Sequence, residues 1–327
     1  MELGDAATLL LAACLMIFWE WKRRQRTSKL PPGPTLLEPS GYLLQARNKG
    51  MLEILRKVKE KYSPVFPVNL GMWQLMFLCD SDSVREALVD QAEEFSGRVR
   101  AELVDTLFQG HGVAMANGER WKQLRRFCTS TLRNFGMGKK SIEEQIQEES
   151  QYLVEEMGKT KGSPFDPTLA ITHSIANVIC SIVFGNRFDY KDQNFLNLMG
   201  SINNAFLDTS KISTLFYETF PRIMKYIPGP HNRVYSHYRA LHDFILERVR
   251  INQQSLDPSC PRDFIDSFLI RTEEEKQNPQ SEMNTRNLVE TTIQLVFAGT
   301  ETTSSTLRFG FLLLVKYPEV QGKVDMK

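Results

Sequence analysis

The sequence predicts an α+β protein in which helix predominates. Three observations carry this. Stretches with helical apolar spacing fill most of the chain from Gly50 onward. Strand-like runs are few and confined to the N-terminal part. The last long pattern, from Asn284 to Tyr317, reads as one helix of roughly 50 Å, long enough to cross a whole domain.

The elements follow in order. Met51 to Tyr62 is an amphipathic helix with Leu52, Leu55 and Val58 on one side, and Pro64 stands beyond its end. Val65 to Leu70 and Gln74 to Cys79 are short strands joined through Gly71. Ser83 to Phe95 reads as a helix with Glu86 and Asp90 outward. Ser141 to Lys159 is a long Glu-rich helix, and Thr168 to Phe184 an apolar, buried one that includes Cys180. Phe195 to Phe206 and Asn232 to Gln254 are two more, separated by Pro221 and by Ile227-Pro228-Gly229-Pro230. Asn284 is a plausible N-cap for the last helix, and Pro318 stops it.

The chain has 327 residues, 42% hydrophobic and 24% charged, with a net charge of +1. That composition suits a globular protein with a sizeable core and gives no global argument for nucleic acid. The five cysteines (Cys14, Cys79, Cys128, Cys180, Cys260) are scattered and show no metal-ligand spacing, which favours a reducing compartment. The histidines form no HExxH pattern. No metal site is expected from side chains alone.

Fourteen uncharged residues, Ala6 to Trp19, lie between Asp5 and Glu20. They span only about 21 Å of helix against a hydrocarbon core of ~30 Å, so length alone leaves a signal peptide open. The segment starts with acids, lacks a small-residue cleavage site, and runs into Trp19, Trp21 and Lys22-Arg23-Arg24-Gln25-Arg26. Aromatic residues favour the interface and basic residues the cytoplasmic side. The expectation is an uncleaved anchor over 1–21, a basic and Pro-rich hinge over 22–34, and an incomplete domain over 35–327. Leu30-Pro31-Pro32-Gly33-Pro34 favours a stiff, extended hinge.

The last helix holds a conflict. Ile293 to Ala298 and Phe309 to Val315 are almost wholly apolar. Between them lie seven polar residues in succession, Thr300 to Thr306, preceded by Gly299. Threonine and glycine are poor helix formers, and local preference that opposes burial tends to mark function. A Thr302 hydroxyl can bond the Ala298 carbonyl four residues back, bend the helix and free backbone groups. The product is a small polar notch flanked by Glu301, suited to a small oxygen species and to proton delivery. The same residues also suit a polar seam against another helix, or an ion pair of Glu301.

Phe297-Ala298-Gly299-Thr300-Glu301-Thr302-Thr303 resembles the oxygen-activation motif of the cytochromes P450. Other stretches resemble family 2 of these proteins: Pro31-Pro32-Gly33-Pro34, Val84 to Asp90, Glu94-Phe95-Ser96-Gly97-Arg98, Asn117-Gly118-Glu119-Arg120-Trp121, Leu132 to Gly138 and Pro261 to Asp266. The likeness runs from about Pro31 to Val320. It implies the N-terminal part of the cytochrome P450 fold, a haem b cofactor, and a monooxygenase acting on a lipophilic xenobiotic, fatty acid or steroid. It implies Thr302 and Glu301 as the catalytic proton-delivery pair, with Ala298 and Gly299 on the distal side of the haem. Trp121 and Arg125, at i and i+4, share a helix face. The resemblance makes them haem-propionate ligands, with Arg98 as a second one. Cation–π packing of Arg125 on Trp121 is the alternative. By the same resemblance Ala101, Val104, Phe108, Val113, Ala114, Met115, Phe206, Thr209 and Phe297 line the substrate site.

Residues 120–140 hold seven basic side chains (Arg120, Lys122, Arg125, Arg126, Arg133, Lys139, Lys140) and no acid. A one-sign face steers a partner of opposite sign. The resemblance makes it a docking face for a flavoprotein reductase or cytochrome b5. A solvated basic surface fits equally, and no aromatic interleaving supports nucleic acid. The implied location is the endoplasmic reticulum membrane, with a single-pass anchor and the body on the cytoplasmic side.

The family also implies a cysteine thiolate on the iron, in a Gly-rich loop after an ExxR helix. Neither occurs in these 327 residues, and none of the five cysteines sits in such a loop. Two readings stay open. One is an incomplete sequence of a monooxygenase; the other is a truncated, non-catalytic membrane-bound protein. As written, the chain is expected to give no thiolate-haem band with carbon monoxide.

Overall fold

The computed structural model describes residues 30–34, 51–70, 73–137, 140–211, 214, 217–218 and 221–325. The anchor expected over 1–21 lies outside them. Among the described residues no helix is long and apolar enough to cross a membrane. The chain forms two units, divided between Ser96 and Gly97.

The first unit begins with α1 (Met51–Lys61) and an antiparallel hairpin, β1 (Val65–Leu70) and β2 (Trp73–Leu78). Phe66 and Phe77 are register partners, and their rings stack at 5.7 Å. With Val58, Leu55 and Tyr62 of the helical side they make a small core. Lys59 Nζ donates to the Cys79 carbonyl at 2.9 Å and ties helix to hairpin. The predicted Ser83–Phe95 helix is different in the structure. Asp80 caps α2 (Ser81–Arg85) through the Ser83 amide at 2.7 Å, and the chain then widens to a π-helical turn over Glu86–Asp90 and ends in turns. Only Ala87 of that turn is buried, so little apolar surface drives a longer helix.

The second unit is helical among its described residues. Its elements are α3 (Glu102–Phe108), α4 (Gly118–Asn134), α5 (Lys140–Gly158), α6 (Thr168–Phe184) and α7 (Gln193–Thr209). Then come α8 (Pro221–Met224), α9 (Pro230–Gln254), α10 (Phe264–Glu274), α11 (Thr285–Lys316) and α12 (Pro318–Asp325). The α+β class with helix predominant is therefore the observed one. Helix α6, expected to be buried, is the centre of the packing: α11 and α5 both lie along it, and α9 lies along α7. Cys180 of α6 is fully buried in the core with Phe195, Phe264, Phe268 and Leu288. Burial pushes its thiol far up from the usual range, so it stays protonated and inert.

Polar groups fix how the helices meet. Glu149 of α5 is buried and accepts from Arg187 Nε at 2.9 Å and from the Tyr190 hydroxyl. Asn177 of α6 brackets Phe188, donating to its carbonyl at 2.9 Å and accepting from its amide at 3.0 Å. Helix α11 is capped by Asn284 through the Asn287 amide, and it runs unbroken from Thr285 to Lys316. The backbone groups expected to be freed at Thr302 are not: the helix is continuous there, because a threonine back-bond can sit on an intact helix. Its two apolar runs also differ. Ile293 and Val296 are core, whereas Phe309 is 63% and Val315 76% exposed.

Candidate functional site in the second unit

The site is built around the middle of α11. Two amides on one face of this helix, Asn287 and Gln294, fasten the segment His111 to Met115 to it. Asn287 Oδ1 lies 2.9 Å from His111 Nδ1 and accepts from the Gly112 amide at 3.3 Å. Gln294 Oε1 accepts from the Ala114 amide at 2.7 Å, and its Nε2 donates to the His111 carbonyl at 3.0 Å. Gly112 has φ +82°, and a Cβ there would come within 2.3 Å of the Gln294 amide. Only glycine fits both the backbone and the approach. Val113, Ala114 and Met115 are thereby set beside α11, half-buried.

The next turn brings Phe297 against Phe206 of α7, with ring centroids 6.0 Å apart. Phe108 turns elsewhere, packing edge-on against Tyr238 of α9 at 5.3 Å. Ala101 is the N-cap residue of α3, and Val104 lies within that helix. Thr209 ends α7 with its hydroxyl donating to the Ala205 carbonyl at 2.7 Å. Of the nine substrate candidates, Phe206 and Phe297 are in contact, Val113, Ala114 and Met115 belong to the segment fastened to α11, and Phe108 packs elsewhere.

Beyond Phe297 the polar run begins. Thr302 Oγ1 donates to the Ala298 carbonyl at 2.7 Å, the bond that the spacing allowed. Ala298, Thr302 and Thr303 are exposed together, while Thr300 and Ser304 point into the core. Glu301 Oε1 accepts from Ser305 Oγ at 3.0 Å, so it is tethered beside the notch. Gly299 has a packing reason of its own. A Cβ there would come 2.8 Å from Ile179 Cδ1, so glycine allows α11 to approach α6.

The second cluster lies on α4. The Arg98 and Arg125 guanidinium carbons stand 5.2 and 5.4 Å from the Trp121 ring. The geometry is the cation–π arrangement, and it gathers two cations at one indole. Trp121 and Arg125 also line a hollow of about 500 Å³ with Lys122, Arg126, Thr129, Ser130 and Arg133, and no acid contributes to it. The wider basic run is partly neutralised: Arg120 pairs with Glu282 at 2.8 Å and Lys122 with Glu119 at 3.1 Å.

The comparisons with known proteins decide the family. The model of the family described as Cytochrome P450 matches residues 31–326. The chain belongs to the cytochrome P450 family. It is 53% identical over 327 residues to cytochrome P450 2G1 of Oryctolagus cuniculus and 52% to that of Rattus norvegicus, each match covering 99% of this chain and 66% of the relative. It is 50% identical over 318 residues to human cytochrome P450 2A13, covering 97% of this chain and 64% of the relative. These likenesses place the P450 chain in family 2. It spans just under two thirds of the length of these relatives.

The family implies haem, and the described residues of this P450 chain fit such a group in two places. The hollow on α4 is lined by cations without an acid, and Arg125 forms no ion pair with an acidic side chain among the described residues; both suit carboxylates of an outside group. The exposed Ala298–Thr302 face offers a small surface with one hydroxyl at its edge. Sequence reasoning missed Asn287 and Gln294, which hold the loop. Their signal was present as two amides seven residues apart, hence on one face of the helix. It also missed Ser305, whose signal is its i+4 spacing from Glu301.

Proposed function

We propose that this protein is a haem-dependent monooxygenase of the endoplasmic reticulum membrane, with its body on the cytoplasmic side. One oxygen atom of O2 enters a lipophilic small molecule and the other leaves as water, with two electrons from a flavoprotein reductase and two protons from solvent. The observation that carries this reading is the Thr302 hydroxyl, held against the Ala298 carbonyl at 2.7 Å where α11 passes from its buried first half to its exposed second half. The bound haem would supply the activation of oxygen. Arg98, Trp121 and Arg125 would hold its propionates, and Ala298 and Gly299 would pass along its distal side.

The chain's own residues carry the rest. The Thr302 hydroxyl donates to a backbone carbonyl at rest, so its orientation is set before any ligand arrives. Rotation of that one bond turns the proton outward. Glu301 stands one residue away and is fixed by Ser305, a position from which it can return a proton to the hydroxyl. Phe206 and Phe297 form an apolar edge that excludes water and receives a lipophilic body. Val113, Ala114 and Met115 continue that edge, and Ala101, Val104, Phe108 and Thr209 are assigned to its outer parts. The exposed side chains of Lys122, Arg126 and Arg133, on the same helix as Trp121 and Arg125, are assigned to an acidic redox partner, the reductase or cytochrome b5.

The test uses the complete chain at its relatives' length, in lipid with a flavoprotein reductase and NADPH, under 18O2 with a lipophilic aromatic substrate. The expected product carries one 18O atom. A product labelled from water, or NADPH oxidation with no product from any of a broad substrate panel, overturns the reading.

A further inference from the structure

A groove of about 680 Å³ opens between α3, α9 and the first turns of α11. Its volume is in the range that takes a small organic molecule. Leu107, Leu246 and Val289 give it apolar walls, and Tyr235 and Tyr238 aromatic ones. None of the residues assigned above to haem or substrate lines it. At its buried end is Glu290, only 2% exposed. Tyr238 donates its hydroxyl to Glu290 Oε1 at 2.5 Å, and Oε2 is buried with no partner. A buried acceptor left without a donor costs free energy that a ligand's donor would recover.

The charges of the lining narrow the ligand further. Arg239 of α9 is exposed and forms no ion pair among the described residues. Arg286 donates to Gln109 Oε1 at 2.7 Å. Asp243 is drawn to His242 at 3.6 Å. The lining holds two arginines and two carboxylates, and Arg239, exposed at the groove, is the cation placed to meet an acid. Two tyrosines favour a flat ring between the ends.

We propose that this groove binds a small aromatic acid bearing a hydroxyl opposite its carboxylate, the hydroxyl donating to Glu290 Oε2 and the carboxylate meeting Arg239 at the mouth. A ligand without the hydroxyl leaves Oε2 unpaired, and a site built to bond a hydroxyl discriminates against the analogue that lacks it. The proposal does not depend on the monooxygenase reading, and its readout is binding alone.

The test is equilibrium dialysis of the full chain in detergent at pH 8, above the Glu290 pKa of about 7 so that Oε2 is an acceptor, with two probes, 3-(4-hydroxyphenyl)propionate and 3-phenylpropionate. The hydroxylated acid is expected to bind about tenfold more tightly or better. Its methyl ester is expected to lose most of that affinity. Glu290→Met, close in length and suited to burial, should bind both acids equally. Arg239→Gln, an exposed position that the fold tolerates, should weaken both acids by the same factor and keep the preference. Equal binding of the two acids to the unaltered chain, or no binding of either, overturns the proposal. A preference that survives Glu290→Met overturns it as well.

Discussion

Glu290 lies in the first buried stretch of α11 with one carboxyl oxygen bonded to Tyr238 and the other unpartnered. Burial pushes its pKa up to about 7, against smaller opposing effects of the Tyr238 bond and the Arg286 charge. Arg239, His242 and Asp243 line the same groove and complete its titratable surroundings. The folded chain therefore binds this proton more tightly than the unfolded chain, whose value is 4.5. Its contribution to stability is fully present below about pH 4.5 and is lost as pH rises through 7, by roughly 3 kcal/mol in all. Urea midpoints at pH 5 and pH 8 should show Glu290→Gln free of that decline; parallel profiles for the two proteins would contradict it. Residues differ in how far the sequence revealed them. The Thr302 bond to Ala298 was legible because both ends lie four residues apart on one helix. The partner of Glu290 was not, since Tyr238 lies 52 residues away. Gly299 was legible as unusual but not in cause, because Ile179 enters from another helix.

Helices that bury a clear apolar face were legible to within a few residues. Thr168 to Phe184 matches α6, and Asn232 to Gln254 is α9 without its first two residues. Helix α4 carries too many basic residues to stand out by period, and only the Trp121–Arg125 spacing pointed to it. The short α3 depends on contacts from outside: Glu218 accepts from the Glu102 and Leu103 amides at 2.6 and 3.0 Å, a distant cap for its first turn. The fastening of the 111–115 segment belongs to the same class, since it joins residues some 180 positions apart. Gln294→Leu removes both bonds and leaves the Ala114 amide and His111 carbonyl without their partners. A loss of about 2–4 kcal/mol is expected, with faster hydrogen exchange at Ala114. Unchanged exchange at that amide would show that the segment is held by something else.

At the scale of the whole molecule, the family was legible because its motifs are spread along the chain from the hinge to α11. The burial of the first apolar run of α11 was legible and the exposure of the second was not, because periodicity reports an apolar face without saying what covers it. In this chain the two apolar runs should respond oppositely to truncation. Ile293→Ala, in the core, should cost about 2–5 kcal/mol, whereas Val315→Ala should fall within about 0.5 kcal/mol of the parent. Similar costs at both positions would mean that the second run is packed. The division at Ser96 also matters here: the hairpin unit has its own small core of Val58 and Phe66, and the site residues from Arg98 onward all lie in the second unit.

The monooxygenase proposal turns on proton delivery by the polar residues of α11. It is tested most directly by Thr302→Ala in the complete chain, measuring product formed per NADPH consumed with the reductase. NADPH oxidation is expected to continue while product per NADPH falls severalfold and hydrogen peroxide rises. Unchanged coupling in the variant would contradict it.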